Sequence, residues 1–302
     1  MRVSLLLAIS LLPLTGNQML CLARQNPSTD EIRRRFPRHW SPARVARMQK
    51  FLSHKDGNDS KGPNGVVFLG MQEYPSLLAG ENDPPFRLLY RGRLPTLGEQ
   101  LLSLCGTRKA DLRGEMACYA LALEAGANNV SVVTSHSPGI DRAALYALND
   151  GGFTGFVPCD CGLDTPRIRG NRLLEGMNLI SAFEPDDAPL RYRCLSRNVL
   201  TSALSPLLVV LQAPIRSGSL HCASLALDMG REVVVHQSGL RPLPWCEGSR
   251  LLVEEGAPVV SGYEEIATFL GYPHRRKLTR PSQYGPLYRF GNSCYSLSHG
   301  TR

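Results

Sequence analysis

Leu207-Leu208-Val209-Val210-Leu211 and the turn Ser217-Gly218-Ser219 that follows it decide the fold of this chain. The first is an apolar run of strand length, and the second opens a segment with helix-like apolar spacing, Leu220–Met229. Another apolar run, Leu101–Cys105, leads into the turn Gly106-Thr107-Arg108. In an open parallel sheet such turns meet at the carboxyl ends of the strands, where ligands bind. Because helix starts favour anions and an arginine can grip phosphate with two hydrogen bonds, the two turns predict phosphate recognition.

Strand and helix candidates alternate outward from these runs. The strand candidates are Val66–Leu69, Phe86–Tyr90, Leu101–Cys105, Val130–Thr134, Phe153–Val157, Leu179–Ala182, Leu207–Leu211 and Glu232–His236. The helix candidates are Leu112–Ala125, Ile140–Leu148, Arg197–Leu204, Leu220–Met229, Ser249–Glu255 and Tyr263–Leu270. This alternation predicts an α/β fold, a parallel sheet with helices on both faces.

The 302 residues are enough for one large domain and a small extra module. Residues 1–60 are predicted to be a small helical module and a linker, the latter rich in Gly, Asn, Asp and Lys. Residues 61–270 are predicted to form the α/β domain. Residues 271–302 are a basic tail with aromatic residues, whose aliphatic content is too low for an independent fold.

Charge and the first residues leave several partners and compartments open. The net charge of +8 and the isoelectric point near 9.1 favour a polyanionic partner, although many basic proteins bind none. The apolar opening, Met1–Leu14, suits either a secretory signal or a buried first helix, and it is too short to span a membrane. Nine cysteines without regular spacing are not a disulfide framework, which argues against export.

Histidine and cysteine residues near one predicted sheet edge raise the question of a metal. Their spacings match no zinc pattern, so we expect no metal and no cofactor. The residues concerned are His136, His221, His236, Cys105 and Cys161. The pair Cys159-x-Cys161 is interpreted as small apolar filling at a strand end.

A series of short motifs lies in a fixed order along residues 65–267. They are Asn82-Asp83-Pro84-Pro85, Leu89-Tyr90-Arg91-Gly92, Gly106-Thr107-Arg108, the run 132–141, Gly151-Gly152, Cys161-Gly162-Leu163-Asp164, Arg197-Asn198, Ser217-Gly218-Ser219-Leu220, Gly230-Arg231-Glu232-Val233 and Gly248 with Gly256-Ala257. Each motif is weak alone, but their joint order resembles the DprA/Smf family of DNA-processing proteins.

The resemblance implies a Rossmann-like domain that binds single-stranded DNA and forms a homodimer. It also implies protection of incoming DNA, loading of RecA recombinase in natural transformation, a bacterial cytoplasm and no catalytic turnover. The position of the leucine-rich first helix fits the family's helical module, which favours the buried helix over the secretory signal. The sequence departs from the family pattern at Ser135, Pro138, Cys194, Gln212 and Gln237.

The candidate DNA-binding residues cluster in the turns and in one helix. They are Gly106, Thr107, Arg108, Lys109, Ser135, Ser137, Gly139, Arg197, Asn198, Arg216, Ser217, Gly218 and Ser219. Arg108 is the first choice for a phosphate contact, the alternative being a surface pair with Asp111.

Three other side chains have local alternatives. Ser217 and Asn198 could cap helices instead of binding DNA, and Arg197 and Asn198 are expected to begin a helix. Asp141 is interpreted as an N-cap or as an orienting partner of Arg108.

Two rival functions come from other classes. A nucleotide-phosphate hydrolase of a related Rossmann family would use the same phosphate pocket, but its glycine-rich motif with a catalytic glutamate is missing, and Gln212 replaces the most plausible carboxylate. We therefore expect no enzymatic activity. An exported basic protein depends wholly on the first 23 residues.

Overall fold

A nine-stranded mixed sheet forms the centre of the protein, in a computed structural model that describes residues 3–53, 63–272, 288–290 and 293–295. The strands are β1 Asn64–Phe68, β2 Arg87–Arg91, β3 Leu101–Cys105, β4 Ser131–Val133, β5 Phe156–Pro158, β6 Asn178–Ser181, β7 Leu207–Val210, β8 Glu232–His236 and β9 Val259–Val260. Their order across the sheet is β1-β2-β6-β5-β4-β3-β7-β8-β9.

The strand order reverses between β3 and β7. The chain moves outward from β3 through β4 and β5 to β6, then returns to the other side of β3 and continues through β7 to β9. All pairs from β6 to β9 are parallel, as predicted. The pairs β1–β2 and β2–β6 are antiparallel instead, so β2 runs against the other strands of the sheet. The sequence did not predict this, because an apolar run indicates that a strand is buried but not its direction.

The helices connect and cover these strands. They are α1 Val3–Ile9, α2 Gly16–Arg24, α3 Thr29–Arg35, α4 Pro42–Ser53, α5 Ser76–Ala79, α6 Leu112–Ala127, α7 Ile140–Asp150, α8 Pro166–Arg169, α9 Arg191–Ala203, α10 Gly218–Asp228, α11 Glu247–Glu254 and α12 Tyr263–Leu270. Most bounds lie within a few residues of those predicted. The start of α9 does not: it begins six residues before Arg197, because its first turns are largely exposed and present no apolar stripe.

Alternate residues of β7 divide the core between the two faces of the sheet. Leu207 and Val209 belong to the apolar cluster that includes α6, α7 and α12. Leu208 and Val210 belong to a second cluster with α10 and α11. The alternation follows from the two-residue repeat of a strand and confirms the prediction of helices on both faces.

The apolar opening of the chain is part of a third cluster. Leu6, Leu7 and Ile9 of α1 are at most 1% exposed and share this cluster with Met48 of α4 and with residues of β1 and β2. No helix in the described part of the chain is both long and apolar enough to cross a bilayer.

Two predicted segments fall largely outside the described residues. Most of the linker, residues 54–62, and most of the tail, including residues 273–287, are not described. Within the tail, two short strands, β10 Tyr288–Phe290 and β11 Ser293–Tyr295, pair antiparallel. The division into domains stays a prediction.

Candidate functional site

A cleft of about 970 Å³ lies at the reversal point of the sheet. The turn after β3, the turn after β7 and one side of α9 supply most of its lining. This is where an open α/β sheet generally binds its ligand, because the loops diverge there on opposite faces. The lining includes eleven of the candidate residues: Gly106, Thr107, Arg108, Lys109, Ser137, Arg197, Asn198, Arg216, Ser217, Gly218 and Ser219.

The turn after β3 is held in place by close neighbours. The Thr107 N–H donates to the Gln212 carbonyl at 2.6 Å, and the Thr107 carbonyl accepts from the Ile140 N–H at 3.2 Å. Gly139 has a φ of 77°, and a Cβ there would lie 2.3 Å from the Thr107 oxygen. A Cβ on Gly106 would lie 2.4 Å from the Ile140 side chain. Both glycines are therefore required by packing, and Gly139 does not itself line the cleft.

Four exposed cations, Arg108, Lys109, Arg191 and Arg216, surround the opening, and we name them the cleft rim. The Arg108 guanidinium has one side-chain contact in the described structure, Nη2 at 3.8 Å from the Cys194 sulfur. Most of its hydrogen-bonding capacity faces outward, as a phosphate contact requires.

Asp111 is not the partner of Arg108, so that alternative is wrong. Its carboxylate caps α6 by accepting from the Gly114 N–H at 2.9 Å. It also accepts from Arg241 Nη1 at 2.6 Å and from Gln212 Nε2 at 2.9 Å. These contacts engage both oxygens of the carboxylate.

The turn after β7 both caps a helix and lines the cleft. Ser217 Oγ accepts from the Leu220 N–H at 3.2 Å, which confirms the capping alternative for this hydroxyl. A Cβ on Gly218 would meet nothing closer than Asn198 Nδ2 at 3.9 Å, so the fold does not require glycine there. The first N–H groups of a helix lack partners within it, and those of α10 begin at this turn.

Four buried polar residues, Ser137, Asp141, Arg197 and Asn198, form what we name the cleft floor. Arg197 is 6% exposed, its Nη2 donates to Ser137 Oγ at 3.3 Å, and its Nε has no partner among the described residues. The hydroxyl oxygens of Ser135 and Ser137 lie 3.0 Å apart, and Ser135 donates to the Asp141 carboxylate. The hydroxyls of Ser135 and Ser137 thus connect the buried Asp141 carboxylate to the buried Arg197 guanidinium. Ser135 does not line the cleft itself, but it contacts two residues of the cleft floor.

Asp141 is a buried acid and not an N-cap, which corrects the sequence interpretation. The N-cap of α7 is Gly139, whose positive φ of 77° turns the chain close to Thr107. Burial raises the pKa of Asp141, while the charge of Arg197, the Ser135 hydroxyl and the more distant charge of Arg108 oppose the shift. Asp141 therefore acts on Arg108 through charge alone, without a hydrogen bond in the described structure.

Asn198 lies in the interior of α9 and caps nothing there. Its Nδ2 donates to the Gly218 carbonyl at 3.2 Å and so joins α9 to the start of α10. The prediction that Arg197 and Asn198 begin a helix is wrong, and both project from the middle of α9 into the cleft.

Gln212 explains one departure from the family pattern. Its side chain is fully buried, and its amide donates to Asp111 Oδ1 and, at 3.3 Å, to the Ser238 carbonyl. Its Oε1 accepts from the Asp111 N–H at 3.2 Å. A carboxylate could not donate to Asp111, so glutamine satisfies this site whereas an ionised glutamate would not.

Sequence reasoning missed several residues that line the cleft. Arg191, Leu195, Thr201 and His221 join it from the helices. Arg191 and Leu195 lie on α9 at a spacing that places them on the face of Arg197 and Asn198, a signal that a correct start of α9 would have revealed.

The three histidines have separate environments. His236 is bonded to Ser238 and, at 3.1 Å, to the Ser261 carbonyl, and His221 lines the cleft. His136 lies beside Asp160, with Nε2 and Oδ1 3.4 Å apart. Burial alone would raise the pKa of Asp160, but His136, the Cys194 thiol and Arg167 hold that pKa well below its usual range.

Curated proteins similar to this chain include proteins named Smf and DprA. The chain is 29% identical over 212 residues to the protein Smf of Borreliella burgdorferi, a match that covers 68% of this chain and 66% of that protein. The chain therefore spans just under two thirds of the length of this relative.

Solved structures share the fold. The DNA processing protein A of Streptococcus pneumoniae superposes with a TM-score of 0.73 at 20% identity, over 90% of this chain and 99% of that one. The Helicobacter pylori structure, described by its single-stranded DNA binding mode, gives 0.59 at 22% identity, over 71% and 99%.

The sequence profile of the family described as DNA recombination-mediator protein A matches residues 65–271, which is more than half of the 302 residues. The matched range contains every strand of the large sheet except the first residue of β1. The chain belongs to this family, the DprA/Smf family that the order of its motifs resembles.

Proposed function

We propose that this protein binds single-stranded DNA through the cleft, without catalytic turnover. The observation that carries the proposal is the charge of the lining: five cations, from the rim and Arg197, face one carboxylate, Asp141, among the described residues that form it. Such a surface follows a phosphate backbone and needs no particular base.

The shape of the site favours single-stranded DNA over a small nucleotide as its ligand. The cleft is open, and its cations come from three separate elements, the turn after β3, the helix α9 and the turn after β7. Charges spread in this way contact successive phosphates, while Arg197 offers a buried guanidinium to one of them. The family membership and the binding mode named for the Helicobacter pylori protein point the same way.

The test is a substitution of Arg108 measured by fluorescence anisotropy with labelled single strands. Arg108→Ala should weaken binding by about 1–3 kcal/mol, the range of a charge-assisted contact. The loss should be similar for all base sequences, because a phosphate contact carries no base information. The slope of log affinity against log salt should become shallower by about 0.7 for each phosphate that the variant no longer neutralises.

Arg113→Ala is the matched control, since Arg113 is an exposed arginine on α6 outside the cleft lining. It should leave affinity and salt slope near those of the wild type. Arg108→Lys should give an intermediate affinity, because lysine keeps the positive charge but lacks the planar guanidinium that can donate two hydrogen bonds to one phosphate. A folded Arg108→Ala protein with wild-type affinity and salt slope would refute the assigned site. Failure of the wild-type protein to bind single-stranded DNA at low salt would refute the function.

The finer role is also a proposal, supported by the family membership. The protein would act in the cytoplasm as a homodimer that protects incoming DNA and helps load RecA recombinase in natural transformation. Exposed apolar side chains on the last elements, Leu251, Val259 and Phe269, offer a surface for the second copy. A monomer mass by light scattering at tens of micromolar, with and without DNA, would contradict the dimer.

A further inference from the structure

A buried cluster of three possible metal ligands lies beside the cleft. His136 follows β4, and Asp160 and Cys161 follow the neighbouring parallel strand β5, so all three reach the same edge of the sheet. Their donor atoms lie within 4.8 Å of one another, and theirs is the one group of three such residues that the described residues form. The strands, not the sequence spacing, bring these residues together.

Three polar atoms of this cluster lack the hydrogen-bond partners that buried groups normally have. The side chains of His136 and Asp160 are 3% and 1% exposed. Neither ring nitrogen of His136 nor Oδ1 of Asp160 has a hydrogen-bond partner in the described structure. Buried polar atoms are nearly always paired, and an unpaired one destabilises the folded protein. A cation bound by His136 Nε2 and Asp160 Oδ1 would satisfy these two atoms at once.

The distance between these two residues fits two ligands of one tetrahedral ion. Zinc bonds of about 2.0–2.2 Å to nitrogen and oxygen put neighbouring ligands about 3.4 Å apart. The His136 Nε2 and Asp160 Oδ1 atoms are 3.4 Å apart. The Cys161 sulfur completes a nitrogen, oxygen and sulfur set, which suits zinc better than the oxygen-seeking magnesium or calcium.

Apart from His136 Nε2 at 3.4 Å, the described surroundings leave Oδ1 of Asp160 without a hydrogen-bond partner. Its other oxygen, Oδ2, accepts from the Cys194 thiol at 3.0 Å and lies 3.7 Å from Arg167 Nη1. Contacts of this kind orient a carboxylate that binds a metal through its second oxygen. Cys194 belongs to α9, three residues before Arg197, so the orienting contact reaches the wall of the cleft.

We propose that His136, Asp160 and Cys161 form a zinc site, with the fourth position taken by water. The ion would hold together the ends of β4 and β5, next to the loop that carries Ser135 and Ser137. The site is independent of DNA binding and is tested without it.

The test is a cobalt titration of the full-length protein after removal of metal by a chelator. Cobalt occupies zinc sites and gives a near-ultraviolet charge-transfer band when a thiolate binds it. We expect saturable binding of one ion per chain with this band, and displacement by zinc. Absence of saturable one-to-one binding in the wild type would overturn the proposal, whatever the variants do.

Variants then identify the ligands. Cys161→Ser should lose the band. His136→Gln should bind cobalt at least about tenfold more weakly, since the loss of a residue that only supports a metal ligand already weakens metal binding about tenfold. Cys159→Ser is the matched control, because Cys159 is equally buried, lies two residues away and bonds the Val157 carbonyl at 3.3 Å. It should keep the band. A band of wild-type intensity in Cys161→Ser would refute the assignment.

Discussion

The floor and the rim of the cleft carry the same kind of charge in opposite environments. Arg197 on the floor is 6% exposed and bonded to Ser137, whereas Arg108 on the rim is exposed. Charges interact strongly where water is excluded, and buried charges cost stability unless they are compensated. Exposed charges cost the fold little and add little to it. The floor should therefore control both stability and ligand position, and the rim should control binding alone.

The largest expected effect comes from removing the buried guanidinium. Arg197→Met should lower the free energy of unfolding by about 2 kcal/mol, somewhat less than for a broken direct ion pair, because it leaves the Asp141 carboxylate uncompensated. In an Asp141→Asn background the same change should cost less than about 1 kcal/mol, which defines the coupling. Denaturant titrations of the wild type, the two single variants and the double variant measure this coupling energy. Equal costs in both backgrounds would show that the floor is not coupled.

Asp141→Asn also tests the floor by pH. Burial raises the folded-state pKa of Asp141, so the wild type loses stability as the pH rises from the unfolded pKa through the folded one. The variant lacks this loss. Its stability relative to the wild type should therefore grow from about pH 4 upward. Because it removes the one carboxylate among the described lining residues, it should also tighten binding of single-stranded DNA by about 1 kcal/mol at any pH where Asp141 is ionised in the wild type.

A smaller effect is expected beneath the turns, at Gln212. Gln212→Glu replaces the amide that donates to Asp111 with a second carboxylate in a fully buried position. We expect a loss of about 1 kcal/mol at neutral pH from the broken hydrogen bond and the repulsion. The loss should shrink in acid, because protonation removes the repulsion.

Gln237→Glu is the control for this change, since Gln237 is exposed and is also a departure from the family pattern. Thermal unfolding at two pH values compares the two variants. Equal stability of both would mean that the contact of Gln212 with Asp111 contributes nothing.

The smallest effect on stability is expected at the turn after β7. Gly218→Ala puts a Cβ into open space at the first residue of α10, so stability should stay equal or rise by up to about 1 kcal/mol. Binding of single strands should weaken several-fold if a phosphate approaches the backbone there. Gly262→Ala, which also meets no neighbour but lies outside the cleft lining, should not change binding. Unchanged binding in Gly218→Ala would remove this turn from the site.

The apolar pattern was sufficient for most of the fold because burial and helical spacing are local properties. It placed β3, β8 and α12 at their observed bounds and gave the two-faced sheet. It could not give the reversed direction of β2, since direction depends on the path of the chain. It also missed the start of α9, whose first turns carry exposed polar residues.

The sequence by itself determined the family, the α/β architecture and the turns that hold Arg108 and Ser217, because these depend on residue order and local chemistry. Only the tertiary structure decided which side chains meet. It placed Arg197 inside the cleft and connected it to Asp141 through two serines. It also brought His136 to Asp160 across neighbouring strands. Such contacts join residues far apart in the chain, and their distances follow from the packing of strands and helices, which no local pattern records.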